Sequence, residues 1–224
     1  MVKAIRLKRK KPKGSVLVDK VLAPETRRQI AARHEAAHIV VAHGQGVEVG
    51  RVTLDSTEAG EVNPHFDAMS SHGTGTPLEH ARIAIAGRIQ EDHDLGTLGL
   101  QAPDELYEGG FHDDSLHFKQ WLFTAAGSDQ QRAAALVQPM MRETIDMLNG
   151  NHEPFSRLAQ ALFERGTLEE ADILAILGPY PEVTPETVAE RERTMAAVKE
   201  TGGRPWLGSA HQPLTQATGQ AGKR

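Results

Sequence analysis

A mainly α protein with one small β-hairpin is the fold class this sequence predicts, and three observations carry the prediction. Aromatic residues make up only 4% of the chain while alanine and leucine are frequent. Strands favour aromatic and β-branched side chains, so this composition suits helices better than a sandwich or barrel. Helix start and stop signals recur from residue 24 onward, whereas a strand-like alternation stands out over one short stretch. At 224 residues the chain is long enough for one or two domains with a real core.

The first helix begins near Pro24, which suits an initial helical turn, and runs to about His43, where Gly44 and Gly46 offer the stop. Next, "VEVGRVTLD" alternates, with Val47, Val49, Val52 and Leu54 as its apolar positions and a bulge at Gly50-Arg51. "STEAGEVNPHF" is expected to return as a second short strand, and residues 67–76 to form a loop. A second helix starts at "TPLEHARIAIAGRIQED", where Thr76 caps, Pro77 takes the first helical position and Glu79 completes a capping box. Residues 93–110 are Gly-rich and read as irregular. Helices follow from about Asp113 to Ala126 and over roughly 128–149, the latter with Pro139 inside it. "EPFSRLAQALFERG" closes on Gly166, and "TLEEADILAILGP" opens on a Thr167/Glu170 capping box. "TPETVAERERTMAAVKETGG" reads as a charged helix that projects from the body.

The organisation expected is a flexible basic arm at 1–22, a main domain at 23–180, and a charged helix with a disordered tail at 181–224. Seven Lys/Arg and no acid lie within residues 1–13, against a formal charge of −5 for the whole chain. The arm reads as a solvated tail, or as a contact for nucleic acid or an anionic surface. No apolar run approaches the ~20 residues a transmembrane helix needs, and no apolar segment follows the basic start, so a cytoplasmic protein is expected. The absence of cysteine rules out disulfides and thiolate metal sites, leaving His, Asp and Glu to hold any transition metal.

"HEAAH" at residues 34–38 is the stretch that carries chemistry. On a helix His34 and His38 lie on one face, their Cβ atoms roughly 5–6 Å apart, and can reach one zinc ion. Glu35 lies about 100° round the helix, placed to act on a water in the open coordination position rather than to bind the ion. That is what a zinc hydrolase requires: two imidazoles, a carboxylate base, and a third ligand from elsewhere. The competing account is a buried helix whose histidines bond to backbone or carboxylates.

The third ligand must come from another segment. A metzincin continuation would place glycine at position 41 and His or Asp at 44, but Val41 and Gly44 stand there. His43 lies on a different face and reads as a cation at the helix C-terminus. Glu58 and Glu61 fall in turn-like sequence, and Glu91 falls near an expected helix end. "GGFHDDSLHFKQWL" remains, with Asp113 and Asp114 delivered into the start of a helix by a Gly-rich loop.

Several stretches taken in order resemble the peptidase domain of the FtsH family of ATP-dependent zinc metalloproteases. They are the HEAAH helix, where that family usually reads HEAGH, then "GVEVGRVTL", "AIAGRIQED" beside the family's "GGRxAEE", "EGGFHDDSLHFKQW", and the C-terminal helices from "MRETIDMLNG" to "DILAIL". Together they span about residues 25–178, within two parts at 25–92 and 111–180. The resemblance implies a zincin-like fold with an edge strand beside the zinc helix. It implies His34 and His38 as zinc ligands, Glu35 as general base and an aspartate as third ligand, Asp114 with Asp113 as the alternative. It further implies a polypeptide substrate lying extended beside residues 49–54 and read mainly through its backbone. Departures are Ala37 in place of the family's glycine and no G-x-x-x-x-G-K-[ST] phosphate loop in these residues. The expected activity is therefore zinc endopeptidase action on flexible or unfolded segments, alone, as a homo-oligomer, or with a separate ATPase partner that unfolds substrates. A non-catalytic regulator gripping a peptide or nucleic acid on the same scaffold is the alternative.

Overall fold

The computed structural model describes residues 22–56, 66–72, 74–100 and 110–200. Residues 1–21, 57–65, 73, 101–109 and 201–224 lie outside them, and with them the expected basic arm and tail. Among the described residues the chain is mainly helical, with seven helices and one small antiparallel sheet.

Helix α1 (Pro24–Gly44) is the axis of the molecule. Pro24 sits at its first turn, and residues 34–42 are buried throughout. Burial on every side explains why this stretch carries only apolar residues apart from His34, Glu35 and His38. Alanines at 36, 37 and 42 let α2, α5 and the sheet approach closely. The helix ends by the signal expected: Gly46 takes a left-handed φ of 67°, Gly46 N–H donates to His43 O at 2.8 Å, and Val47 N–H to Ala42 O at 2.9 Å.

Strand β1 (Val49–Ser56) pairs antiparallel with β2 (Phe66–His72), and the register shifts between Val49 and Val52, where the bulge was expected. Two expectations are corrected here. Residues 67–76 are not all loop, since β2 runs from Phe66 to His72. Nor is β1 an edge strand: it also pairs with β3 (Thr167–Glu169), giving the order β2-β1-β3. Thr167 to Glu169 had read as a helix start, but their backbone groups go to β1 residues Arg51, Val52 and Thr53. Buried Leu168 is drawn into the main core by this pairing.

Helix α2 (Pro77–Thr97) opens with the expected capping box: Glu79 N–H donates to Thr76 Oγ1 at 3.3 Å and Thr76 N–H to Glu79 Oε2 at 2.6 Å. It continues to Thr97, several residues past the irregular segment expected from 93. Helix α3 (Gly110–Ala125) likewise starts earlier than Asp113. Helix α4 (Gln130–Gly150) is capped by Asp129 and runs on through Pro139. Helix α5 (His152–Arg165) ends on Gly166 at φ 74°, whose carbonyl accepts Leu54 N–H at 2.6 Å. Helix α6 (Glu170–Leu177) uses a Glu169/Asp172 capping box, not Thr167/Glu170, because Thr167 belongs to β3. Helix α7 (Pro185–Glu200) does not simply project: Arg191 ties it to α1 and α2.

The apolar interior falls into two clusters. The larger joins α1, β1, α5, β3 and α6 through residues such as Ile39, Val41, Leu54, Leu158, Leu162, Leu168 and Ile173. The smaller joins α2, α3 and α4 through Ala81, Leu122, Ala126, Ala133 and Met140, with Phe118 and Trp121 packed against it on the inward side of α3.

Candidate metal centre

The stretch HEAAH lies in the buried middle of α1, with His34, Glu35 and His38 each about 95% buried. Their ligand atoms lie within 4.8 Å of one another, and this group could hold a metal ion. Helix α3 brings Asp114 to it. Asp114 Oδ2 stands 3.0 Å from His34 Nε2 and 3.3 Å from His38 Nε2, and the two nitrogens are 3.0 Å apart. Asp114 lies one turn inside α3 rather than at its first residue. The side chains of His112 and Asp113 lie outside the described residues.

The His38 imidazole is also held from behind, and a carboxylate lies near His34. His38 Nδ1–H donates to the Ile83 carbonyl at 2.6 Å. A carbonyl only accepts, so the proton sits on Nδ1 and Nε2 faces Asp114 with a lone pair when the ring is neutral. His34 Nδ1 stands 3.8 Å from Glu91 Oε2. Glu91, set aside from sequence because it seemed to fall near a helix end, lies mid-helix in α2 and fully in the interior. Burial raises its pKa to about 7 against the opposing pull of His34.

Donor atoms ~2.1 Å from a four-coordinate ion stand roughly 3.4 Å from one another. The three separations of 3.0, 3.0 and 3.3 Å approach that triangle. Gly87 on α2 lets both imidazole edges lie directly against the α2 backbone. A Cβ there would press on His34 Nε2 and stand 2.5 Å from His38 Nε2 and 2.6 Å from His34 Cε1. No side chain can enter this cradle, and two nitrogens and a carboxylate oxygen line it. The residues fit a metal ion.

The charges agree with that reading. Burial on its own would raise Asp114, but hydrogen bonds from His34 and His38 hold it well below the usual carboxylate range. Burial would likewise lower His38, but Asp114 foremost and Glu35 behind it raise its pKa from 6.5 to about 9. Three donor groups lie together, two imidazoles buried and a carboxylate partly so, where a cation is a suitable partner for them all.

His43 is not part of the centre. Its Nε2–H donates to Gly178 O at 3.0 Å and its ring lies against Tyr180. Glu58 and Glu61 lie outside the described residues. The structure therefore brings together His34, Glu35, His38 and Asp114, and adds Gly87, Ile83 O and Glu91, which sequence reasoning had not assigned. A helical glycine at 87 with a carboxylate one turn on at 91 was the available signal.

No protein-family model matches this sequence, and no curated protein is similar enough to count as a relative.

Proposed function

We propose that this chain is a zinc-dependent endopeptidase acting on flexible polypeptide segments. The observation that carries the reading is the convergence of His34 Nε2, His38 Nε2 and Asp114 Oδ2 at 3.0–3.3 Å, with Glu35 beside them and both imidazoles seated against the backbone of Gly87. His34, His38 and Asp114 would hold the ion. Two imidazoles and one carboxylate oxygen suit zinc, and three protein ligands leave a position for chemistry. When bound, zinc supplies Lewis acidity toward a substrate carbonyl and lowers the pKa of water to about 7.

The rest falls to the chain's own groups. Glu35 Oε1 is 3.8 Å from His34 Nε2, farther off than Asp114 Oδ2 and on the same side of the ring. It takes the proton of the attacking water and returns it to the leaving amine. Ile83 O holds the His38 ring in orientation from behind, and Glu91 places a carboxylate near His34 Nδ1. The likeness of several segments to the FtsH peptidase domain supports the same assignment of roles.

An extended substrate was expected beside residues 49–54. β1 is paired on both sides over Val52 and Thr53, so its backbone is not available there. Among the described residues β2 pairs on its β1 side alone, and substrate pairing is assigned to its outer edge.

The deciding experiment compares zinc content and hydrolysis of an unfolded protein for the wild type, Glu35→Gln and Asp114→Ala. Glu35→Gln should keep zinc and lose about 100- to 10,000-fold in rate. Asp114→Ala should lose zinc. If zinc-loaded Glu35→Gln cuts at the wild-type rate, the mechanism is wrong. A wild type that binds peptide with neither zinc nor cleavage would favour the non-catalytic alternative.

A further inference from the structure

One charged contact lies outside the candidate centre and yet joins two of the helices around it, α1 and α2. Arg191 on α7 sits between the C-terminal end of α1 and the N-terminal end of α2. Its Nε and Nη2 donate to Glu79 Oε2 at 3.0 Å and Oε1 at 2.8 Å. Its Nη1 and Nη2 donate to Gly46 O at 2.9 Å and Gln45 O at 2.6 Å. Both side chains are close to nine-tenths buried, Arg191 at 12% and Glu79 at 9% exposure. Four hydrogen bonds from one guanidinium thus span two helix ends and a third helix.

We propose that Arg191 is a positioning residue of the metal centre, setting the register of α1 against α2 so that His38 meets the Ile83 carbonyl. This rests on reading the HEAAH cluster as a metal site. His38 lies two turns before Gln45 on α1, and Ile83 lies one turn after Glu79 on α2. Arg191 holds Gln45 and Glu79 together, and the short His38–Ile83 bond of 2.6 Å depends on the same alignment. Gln45 reinforces the junction, its Nε2 donating to Val41 O at 3.1 Å and Glu79 O at 3.4 Å.

The sign of the effect follows from charge. Without Arg191, the buried Glu79 carboxylate faces the carbonyls at the negative end of α1 with no cation between them. The helix ends are then pushed apart, and the rings of the centre move with them. Replacing Glu79 by glutamine removes that repulsion and still leaves a capping residue, since glutamine serves in the box as glutamate does. Loss at Arg191 should therefore be rescued by Glu79→Gln, which a plain loss of packing would not show.

Two readouts test this. The first needs no metal: exchange of the His38 Nδ1 proton followed by NMR. Arg191→Ala should exchange at least about tenfold faster, Arg191→Lys less so, because lysine keeps the charge and loses the fork. The second is zinc affinity, which should weaken by about 10- to 100-fold in Arg191→Ala. The pair Glu79→Gln with Arg191→Ala should regain most of both. Unchanged proton exchange and zinc affinity in Arg191→Ala would overturn the proposal. Should that variant fail to fold, Arg191→Lys matching the wild type in both readouts would overturn it equally. A wild type that takes no zinc would sink the metal reading and, with it, Arg191 as a positioning residue of a metal centre; a zinc-binding wild type that cleaves nothing would sink the peptidase reading alone.

Discussion

Glycine inside a helix costs about 1 kcal/mol relative to alanine, and Gly87 stands well inside α2. The cost is explained by what a methyl group would strike, namely the two imidazole edges that face Asp114. Gly87→Ala should keep its circular dichroism but melt lower in the metal-free state, since two buried rings must shift to admit the methyl group, at a cost of about 1–3 kcal/mol. It should lose zinc by about 100-fold or more in affinity, in line with a displaced first ligand rather than an outer-shell change. Full zinc occupancy in Gly87→Ala would refute the cradle. His38 carries a second residue-scale prediction. Its pKa is raised from 6.5 to about 9. A raised imidazole stabilises the fold below about pH 6.5, and that contribution is lost as pH rises toward 9. The metal-free protein should therefore lose stability over that window. Ligation needs the neutral ring, so a proton must leave on binding, and zinc affinity should climb about tenfold per pH unit up to roughly 9. Titration calorimetry in buffers of different ionisation enthalpy counts that proton. A pH-independent affinity would place the proton elsewhere.

At the scale of elements, α2 explains why the centre was only half legible in the sequence. HEAAH declared two ligands and a base through i, i+4 spacing alone, and the Gly-rich approach to Asp113-Asp114 pointed to the third. Capping signals at Thr76, Glu79 and Gly166 fixed helix ends because they are local chemistry. What α2 contributes is spread at helical intervals among ordinary residues: Ile83, Gly87 and Glu91 fall four apart on the face turned to α1. Ile83 acts through its carbonyl and Gly87 through the lack of a side chain, so neither has a chemical signature to read. The error over β1 has a similar origin. Thr167-Leu168-Glu169 is a fair helix start in isolation, and its pairing with Arg51-Val52-Thr53 is a contact more than a hundred residues distant in sequence. The corrected sheet order makes a prediction of its own. Neighbouring residues of β2 point their N–H groups alternately toward β1 and away from it. Proline at Met69 and at Ser70, tested separately, should split. One should weaken the β1–β2 ladder and lower stability. The other should leave stability near the wild type and impair cleavage of long substrates by raising KM. Equal behaviour of both variants would remove the outer edge of β2 as the substrate rail.

Among the described residues the apolar interior forms two clusters, and the candidate metal centre lies between helices of both. His34 and His38 belong to α1, whose neighbouring residues Ala36, Ala37 and Ile39 are part of the larger cluster. Asp114 belongs to α3, which is held by the smaller one through Leu122 and Ala126. That smaller cluster is made largely of alanine, and burying an alanine side chain gains far less than the ~1.5–3 kcal/mol of a leucine or isoleucine. Exposed Leu116 and Phe123 add little to α3 from its outer side. Helix α3 should then open more readily than α1 in the metal-free protein, by local rather than global unfolding. A metal ion bound to both helices changes that order, because it stabilises only states in which Asp114 is docked. At a free concentration 100 times its dissociation constant it adds about 2.7 kcal/mol to every such state. Hydrogen exchange read by mass spectrometry should show the effect unevenly. Zinc should slow exchange over 114–125 by about tenfold or more while changing 36–42 little, since those amides already open only with the whole fold. Asp114→Ala should abolish the slowing without altering the metal-free pattern of α1. Uniform protection of both helices would mean that α3 is no weaker than the core, and protection confined to α1 would mean that Asp114 takes no part in holding the ion.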